Sequence, residues 1–169
     1  MKIFKCRNVK TPTRGTELSA GIDFYIPSDF EKTTLRPGED ILIPSGIVAS
    51  FASNLMLLAA EKSGVTSSKT AKTKCITVPP EVAARSLFDS PTVLGAKIVD
   101  ADYKGEIHIH IINVGLKNAI LEPGMKIAQF ILVPVHYDSI IEVPNENELY
   151  NTYTCTRGDR GFGEGTGKE

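Results

Sequence analysis

The sequence predicts an all-β fold, a jelly roll, sandwich or barrel, interrupted by one inserted helix. Three observations predict it. Short apolar runs recur at close spacing, glycine or proline punctuates almost every junction, and residues 106–112 alternate with a period of two.

Taken in order, residues 22–26 form a short apolar-aromatic run ended by Pro27. Residues 41–43 form another, bounded by Gly38 and Pro44. Runs at 47–51 and 55–60 follow at once. In 106–112, Ile107, Ile109 and Ile111 fall on one face, and Glu106, His108 and His110 on the other, the pattern of a half-buried strand. Residues 119–121 and 127–133 complete the series. The last run is nearly all apolar, so it is expected to be buried on both sides.

The helix is expected over 79–88. Two prolines and Glu81 occupy its first turn, and Val82, Ala83 and Leu87 give it an apolar face. It lies in a Ser/Thr/Lys-rich stretch, so 65–93 reads as an insertion into the β fold. The expected division is a β domain over 1–145 and an arm over 146–169. The last twelve residues contain five glycines and cannot bury a core.

Composition narrows the function. A chain of 169 residues is one domain, and that length buries roughly 70% of the unfolded surface. Nineteen basic and twenty acidic residues, well mixed, give a net charge of −1. Nothing there attracts duplex nucleic acid or a membrane surface. Cys6, Cys75 and Cys155 are far apart and odd in number, neither a disulfide framework nor a zinc pattern. The N-terminus lacks a signal-like apolar stretch, and no run approaches a membrane span. The expected setting is a reducing cytoplasm.

Several stretches could carry chemistry. IVDADYKGEIHIHI opens a strand with Asp100, Asp102 and Tyr103. This is either a polar hairpin or a carboxylate presented on a rigid one. Asp23 sits inside an apolar strand, where an acid is costly unless paired; it is a strand-edge ion pair or an outer partner of a metal. Lys62-Ser63-Gly64 follows an apolar strand and could offer a cation, a hydroxyl and backbone N–H groups to an anion. Gln129 is an amide in an apolar run and must be hydrogen-bonded, to a neighbouring strand or to a ligand. His108 and His110 could pair on a metal, but only His136 remains as a third histidine. Solvent-facing strand histidines are the simpler reading. GFGEGTGKE fails the phosphate-loop pattern, because Glu169 follows Gly167-Lys168 and Phe162 stands where glycine is required. What survives is a flexible arm whose Arg157 could pair with phosphate and whose Phe162 could stack on a base.

In order along the chain, AGIDFYIP, EKSG, IVDADYKGEI, PGMKIAQ and RGDRGFGEGTG resemble the five motifs of the trimeric deoxyuridine triphosphate nucleotidohydrolases, the dUTPases. The resemblance implies a jelly-roll subunit and a homotrimer with sites shared among the chains. It implies hydrolysis of dUTP to dUMP and pyrophosphate with Mg²⁺, which lowers dUTP and supplies dUMP for dTMP synthesis. By the third motif, Asp100 activates the attacking water, Asp102 shapes the hairpin, and Tyr103 packs against the deoxyribose. Ile98 lies in the hairpin that reads the base. Lys62, Ser63, Gly64 and Gln129 match phosphate contacts. Asp23 matches an acid that holds metal-bound water. Arg157, Phe162 and Gly163 match the arm that clamps phosphate and covers uracil.

The chain departs from the pattern in four places. Lys62 replaces the usual arginine, the 65–93 insertion lengthens the gap to Asp100, Lys97 replaces a common glycine, and Glu164-Gly165-Thr166 replaces a Ser/Thr pair. Two rivals follow. dCTP deaminase shares the fold but needs an acid where His110 stands. A regulatory protein-binding homologue, as in phage-type members, would use 65–93 for its partner.

Overall fold

The computed structural model describes residues 1–62 and 90–150. The helix expected at 79–88, most of the 65–93 insertion and nearly all of the 146–169 arm lie outside the described residues. The chain divides into two compact units, Met1–His136 and Tyr137–Glu169.

Among the described residues, the first unit holds twelve strands: β1 (Lys2–Lys5), β2 (Thr13–Arg14), β3 (Ile22–Tyr25), β4 (Thr33–Leu35), β5 (Asp40–Pro44), β6 (Ile47–Ser50), β7 (Leu55–Ala60), β8 (Thr92–Leu94), β9 (Ile98–Val99), β10 (His108–Asn113), β11 (Ala119–Leu121) and β12 (Lys126–Pro134). They form four sheets, ordered β2-β3-β12-β7-β9, β5-β10-β8, β1-β6 and β11-β4. Every pairing is antiparallel. No helix among the described residues is long and apolar enough to cross a membrane.

The strands expected from apolar runs are present, with ends displaced by a residue or two. The alternating strand starts at His108 rather than at 106. Glu106 is held out of the ladder, because its carboxylate accepts from Arg7 Nε at 2.8 Å and from the Gly46 N–H at 2.7 Å. Beyond it the alternation holds: Ile107, Ile109 and Ile111 are buried. The 127–133 run differs from expectation. Ile127, Ala128 and Phe130 are buried, but Gln129 and 131–133 are only half-buried, so the strand is covered on both faces only at its start.

One core gathers residues from several sheets, among them Phe24, Leu35, Ile43, Leu57, Ile109, Leu121 and Ile127. Phe24 and Phe130 tilt against each other with centroids 4.5 Å apart, within the favourable range for aromatic pairs. A polar knot sits in this core. Buried Asn113 donates to the carbonyls of Leu35 (2.9 Å) and Lys117 (2.8 Å), while its Oδ1 accepts from Ser90 Oγ (2.8 Å). Each buried polar atom is thereby satisfied, as burial demands.

In the second unit, α1 (Glu146–Leu149) is one short turn. Asn145 caps it by accepting from the Glu148 N–H at 3.3 Å.

Candidate active site

The five-stranded sheet positions most of the described candidates. Across it, Thr13 pairs with Asp23, Asp23 with Gln129, and Gln129 with Ala60. Residues paired across a sheet point to the same face, so Asp23 and Gln129 share one side. The next row, Ile22–Phe130–Ala59, points to the other side and is buried.

Lys126 joins the polar face by a device that period-two reasoning would miss. It lies three residues from Gln129, which alone would put it on the opposite face. The register shifts between Lys126 and Ala128, so that Lys126 pairs with Tyr25 while Gln129 pairs with Asp23. Asp23 and Tyr25 are two apart on β3, and the bulge therefore returns Lys126 to their side. The strand is entered through Pro123-Gly124, where Gly124 has φ of 80°, a conformation that a side chain disfavours.

Asp23 is only 3% exposed and takes a cation at each oxygen. Lys62 Nζ donates to Oδ1, and Lys126 Nζ lies 3.0 Å from Oδ2. Burial pushes the Asp23 carboxyl up, but the two ammonium groups outweigh it and hold it below its ordinary value. Lys126 is raised in turn by its hydrogen bond to Asp23. The costly acid of the sequence is therefore an ion pair, doubled.

Gln129 Nε2 donates to the Glu61 carbonyl at 3.0 Å. Of the two partners open to that amide, a neighbouring strand and a ligand, the described structure fills the first. Its register places it opposite Ala60, the last residue of β7 and two residues before Lys62.

A second group lies around the connection between β9 and β10; these strands belong to different sheets and pair with β7 and with β5 and β8, so the expected hairpin is instead a turn that passes between two sheets. A cavity of about 210 Å³ is lined by Leu42, Ala96, Ile98, Val99, Asp100, Tyr103, Ile107 and His108. The Tyr103 N–H donates to the Asp100 carbonyl at 3.2 Å and closes the turn. The Tyr103 hydroxyl donates to the Glu106 carbonyl at 3.0 Å, and its ring covers Gly105 so closely that a Cβ there would lie 2.5 Å from the hydroxyl oxygen. The tyrosine is thus fixed at both ends. Asp100 is exposed, so its carboxylate is open to water.

The histidines divide. His108 Nδ1 bonds the Glu106 carbonyl at 2.9 Å and the side chain borders the cavity; His110 Nε2 bonds Asp40 at 2.8 Å. Among the described residues no group of three His, Cys, Asp or Glu could hold a metal. Ser63, Gly64, Arg157, Phe162 and Gly163 lie outside the described residues. The cavity lining takes in Ile98, Asp100 and Tyr103 but not Asp23, Lys62 or Gln129.

The sequence reading missed the roles of three residues: Lys126 and Glu61, quoted only within their motifs, and Lys97, noted only as a departure from the third motif. Lys97 Nζ lies 2.6 Å from Glu61 Oε1. Opposite charges at the ends of two neighbouring strands were the only signal, and pairing cannot be read without knowing that β7 and β9 are neighbours.

The comparisons agree with the motifs. A family model described as dUTPase matches residues 71–166. The deoxyuridine 5'-triphosphate nucleotidohydrolase of Rickettsia felis is 32% identical over 165 residues, covering 96% of this chain and 94% of that protein. The enzyme of the same name from Mycolicibacterium vanbaalenii is 31% identical over 165 residues, covering 95% and 90%. Among solved structures, the Staphylococcus bacteriophage 80alpha dUTPase with dUpNHpp has a TM-score of 0.72 at 20% identity, over 96% of this chain and 95% of that one. A dUTPase variant from phage phi11 of S. aureus, with a coordinated structural Mg(II) ion, has a TM-score of 0.67 at 18% identity, over 86% and 97%. These structural likenesses carry the fold, a jelly roll.

Proposed function

The chain belongs to the dUTPase family, and from that premise we propose that it hydrolyses dUTP to dUMP and pyrophosphate. The observation that carries this reading is the cavity at the turn between β9 and β10, in which an exposed Asp100 and a doubly fixed Tyr103 line one space of about 210 Å³.

In this reading Asp100 takes a proton from the water that attacks the α-phosphorus. Tyr103 lays its ring where a ribose 2′-hydroxyl would sit, and its anchored hydroxyl keeps it there. Ile98 and its neighbours read the pyrimidine through backbone groups. Lys62, Ser63, Gly64 and Gln129 hold phosphates, and Arg157, Phe162 and Gly163 of the 146–169 arm close over them. The β domain is 1–145, and the 65–93 insertion would carry any protein partner through its part before Ser90, since Ser90 and Thr92 are buried and β8 is built into the β fold.

Mg²⁺ is the cofactor. The two Asp23 oxygens already accept from Lys62 and Lys126, so Asp23 does not fit as a direct ligand. A carboxylate has about four lone-pair sites, and two remain for metal-bound water. Such an ion would be held mainly by substrate phosphates and water, and would supply charge neutralisation at the phosphates.

The protein acts as a homotrimer in the cytoplasm. The cavity lining does not include Asp23, Lys62 or Gln129, which supports sites shared between subunits. Deamination is disfavoured: His110, where that reaction needs an acid, is committed to Asp40 and is not in the cavity lining.

Pyrophosphate release from each common dNTP, with and without Mg²⁺, tests the reading. Release from dUTP alone, requiring Mg²⁺, is expected; no release from dUTP would overturn it.

A further inference from the structure

Tyr25 lies two residues from Asp23 on β3, on the polar face that also carries Gln129, and its ring is buried. Its hydroxyl shares a hydrogen bond of 2.7 Å with that of Thr13, the residue paired with Asp23 on the other side, so the ring is fixed. Two ammonium groups stand over it. Lys10 Nζ is 4.9 Å from the ring centroid and Lys126 Nζ 5.8 Å, both within cation–π reach. Lys126 also holds Asp23 Oδ2, and Lys62 holds Oδ1. An unbroken line of contacts therefore runs from Lys62 through Asp23, Lys126 and Tyr25 to Lys10.

The charges along this line do not balance. Three ammonium groups meet one carboxylate, an excess of two positive charges in a chain whose net charge is −1. Lys62 and Lys126 share Asp23. Lys10 has no carboxylate at ion-pair distance among the described residues. The ring restrains the Lys10 stem but neutralises none of its charge, so its three N–H donors are open to an anion.

We propose that Lys10, which lies outside the five motifs, binds the pyrophosphate portion of dUTP, at the far end of the phosphate row that begins at Lys62 and Gln129. A polyphosphate chain is long enough to follow that line and carries enough negative charge to answer both unbalanced ammonium groups. This rests on the reading in which Lys62 and Gln129 hold phosphates.

The test measures kcat and KM for dUTP, with inhibition by each product, in the native protein, Lys10→Met and Lys10→Arg at one Mg²⁺ concentration. Lys10→Met should raise KM and weaken pyrophosphate inhibition about tenfold each, with kcat within about threefold and dUMP inhibition within about twofold, because the lost contact is to phosphates that dUMP lacks. Lys10→Arg keeps the charge and should hold pyrophosphate inhibition within about twofold of native. A merely structural role for Lys10 predicts similar losses for the two products. Should Lys10→Met fail to fold, Lys10→Gln makes the same comparison. Unchanged pyrophosphate inhibition in Lys10→Met, an equal loss for dUMP, or a Lys10→Arg as impaired as Lys10→Met overturns the proposal. Calorimetric binding of pyrophosphate to the native protein and to Lys10→Met reads the contact without turnover. A native protein that binds pyrophosphate through Lys10 but leaves dUTP intact overturns the functional reading and not the contact, so the two failures are distinct.

Discussion

A Cβ on Gly21 would stand 2.1 Å from the side-chain oxygen of Gln129 and 3.0 Å from its Cβ. Gly21 therefore leaves the space that the Gln129 amide fills when it turns to the Glu61 carbonyl. Gly21→Ala should push the amide away and cost about 1–3 kcal/mol, the usual range for overpacking. Urea denaturation measures the loss. Gln129→Ala in the same chain should recover part of it, since the obstructed group is gone; strict additivity of the two costs would show that they do not touch.

Asp23 should make stability fall in acid. Its folded carboxyl titrates below the ordinary 3.8, so the unfolded chain binds more protons in acid. The contribution is present at neutral pH and is lost as pH falls from about 4 through the folded value. Lys126 has the opposite sign: raised above 10.5, it stabilises below that pH and loses its contribution as pH rises past the folded value. Asp23→Asn should lower stability at pH 7 by about 1–3 kcal/mol, below the range for breaking a fully buried pair because both lysines reach solvent. It should also flatten the decline of melting temperature as pH falls below about 4. An equally steep decline in the variant would assign the acid sensitivity to other carboxylates.

The apolar framework was legible because burial writes itself into the sequence with a period of two, as at Ile107, Ile109 and Ile111. The two-residue strands Thr13–Arg14 and Ile98–Val99 left no such mark. They exist because a neighbour pairs with them, and that neighbour is remote in sequence. The motif residues Asp23, Asp100, Tyr103 and Gln129 could be named from their types and order. Lys126 and the Glu61–Lys97 pair could not, since one depends on a bulge and the other on strand order.

Tyr103 should govern sugar choice. Tyr103→Ala removes the ring and should raise UTP hydrolysis relative to dUTP. Tyr103→Phe loses only the bond to the Glu106 carbonyl, which His108 also contacts, and should cost about 0.5–1.5 kcal/mol in stability with a smaller change in sugar preference. Competing assays with UTP and dUTP read both variants. An unchanged ratio in Tyr103→Ala would place the discriminator elsewhere.

Removing 156–169 should spare the β domain and damage turnover. The loss includes Arg157, a charge-assisted phosphate contact of roughly 1.5–3 kcal/mol, and Phe162, a stacking contact of about 1–3 kcal/mol. Melting temperature without nucleotide should hardly change, while turnover should fall more than dUMP affinity. A large drop in melting temperature would make the segment part of the core instead.

Whether Asp100 is the base that activates water is read from pyrophosphate release from dUTP by the native protein and by Asp100→Asn, alongside binding of a non-hydrolysable dUTP analogue. The amide cannot take the proton, so turnover should fall by about 10²–10⁴-fold while analogue affinity stays within about threefold. Near-native turnover in Asp100→Asn would contradict the account.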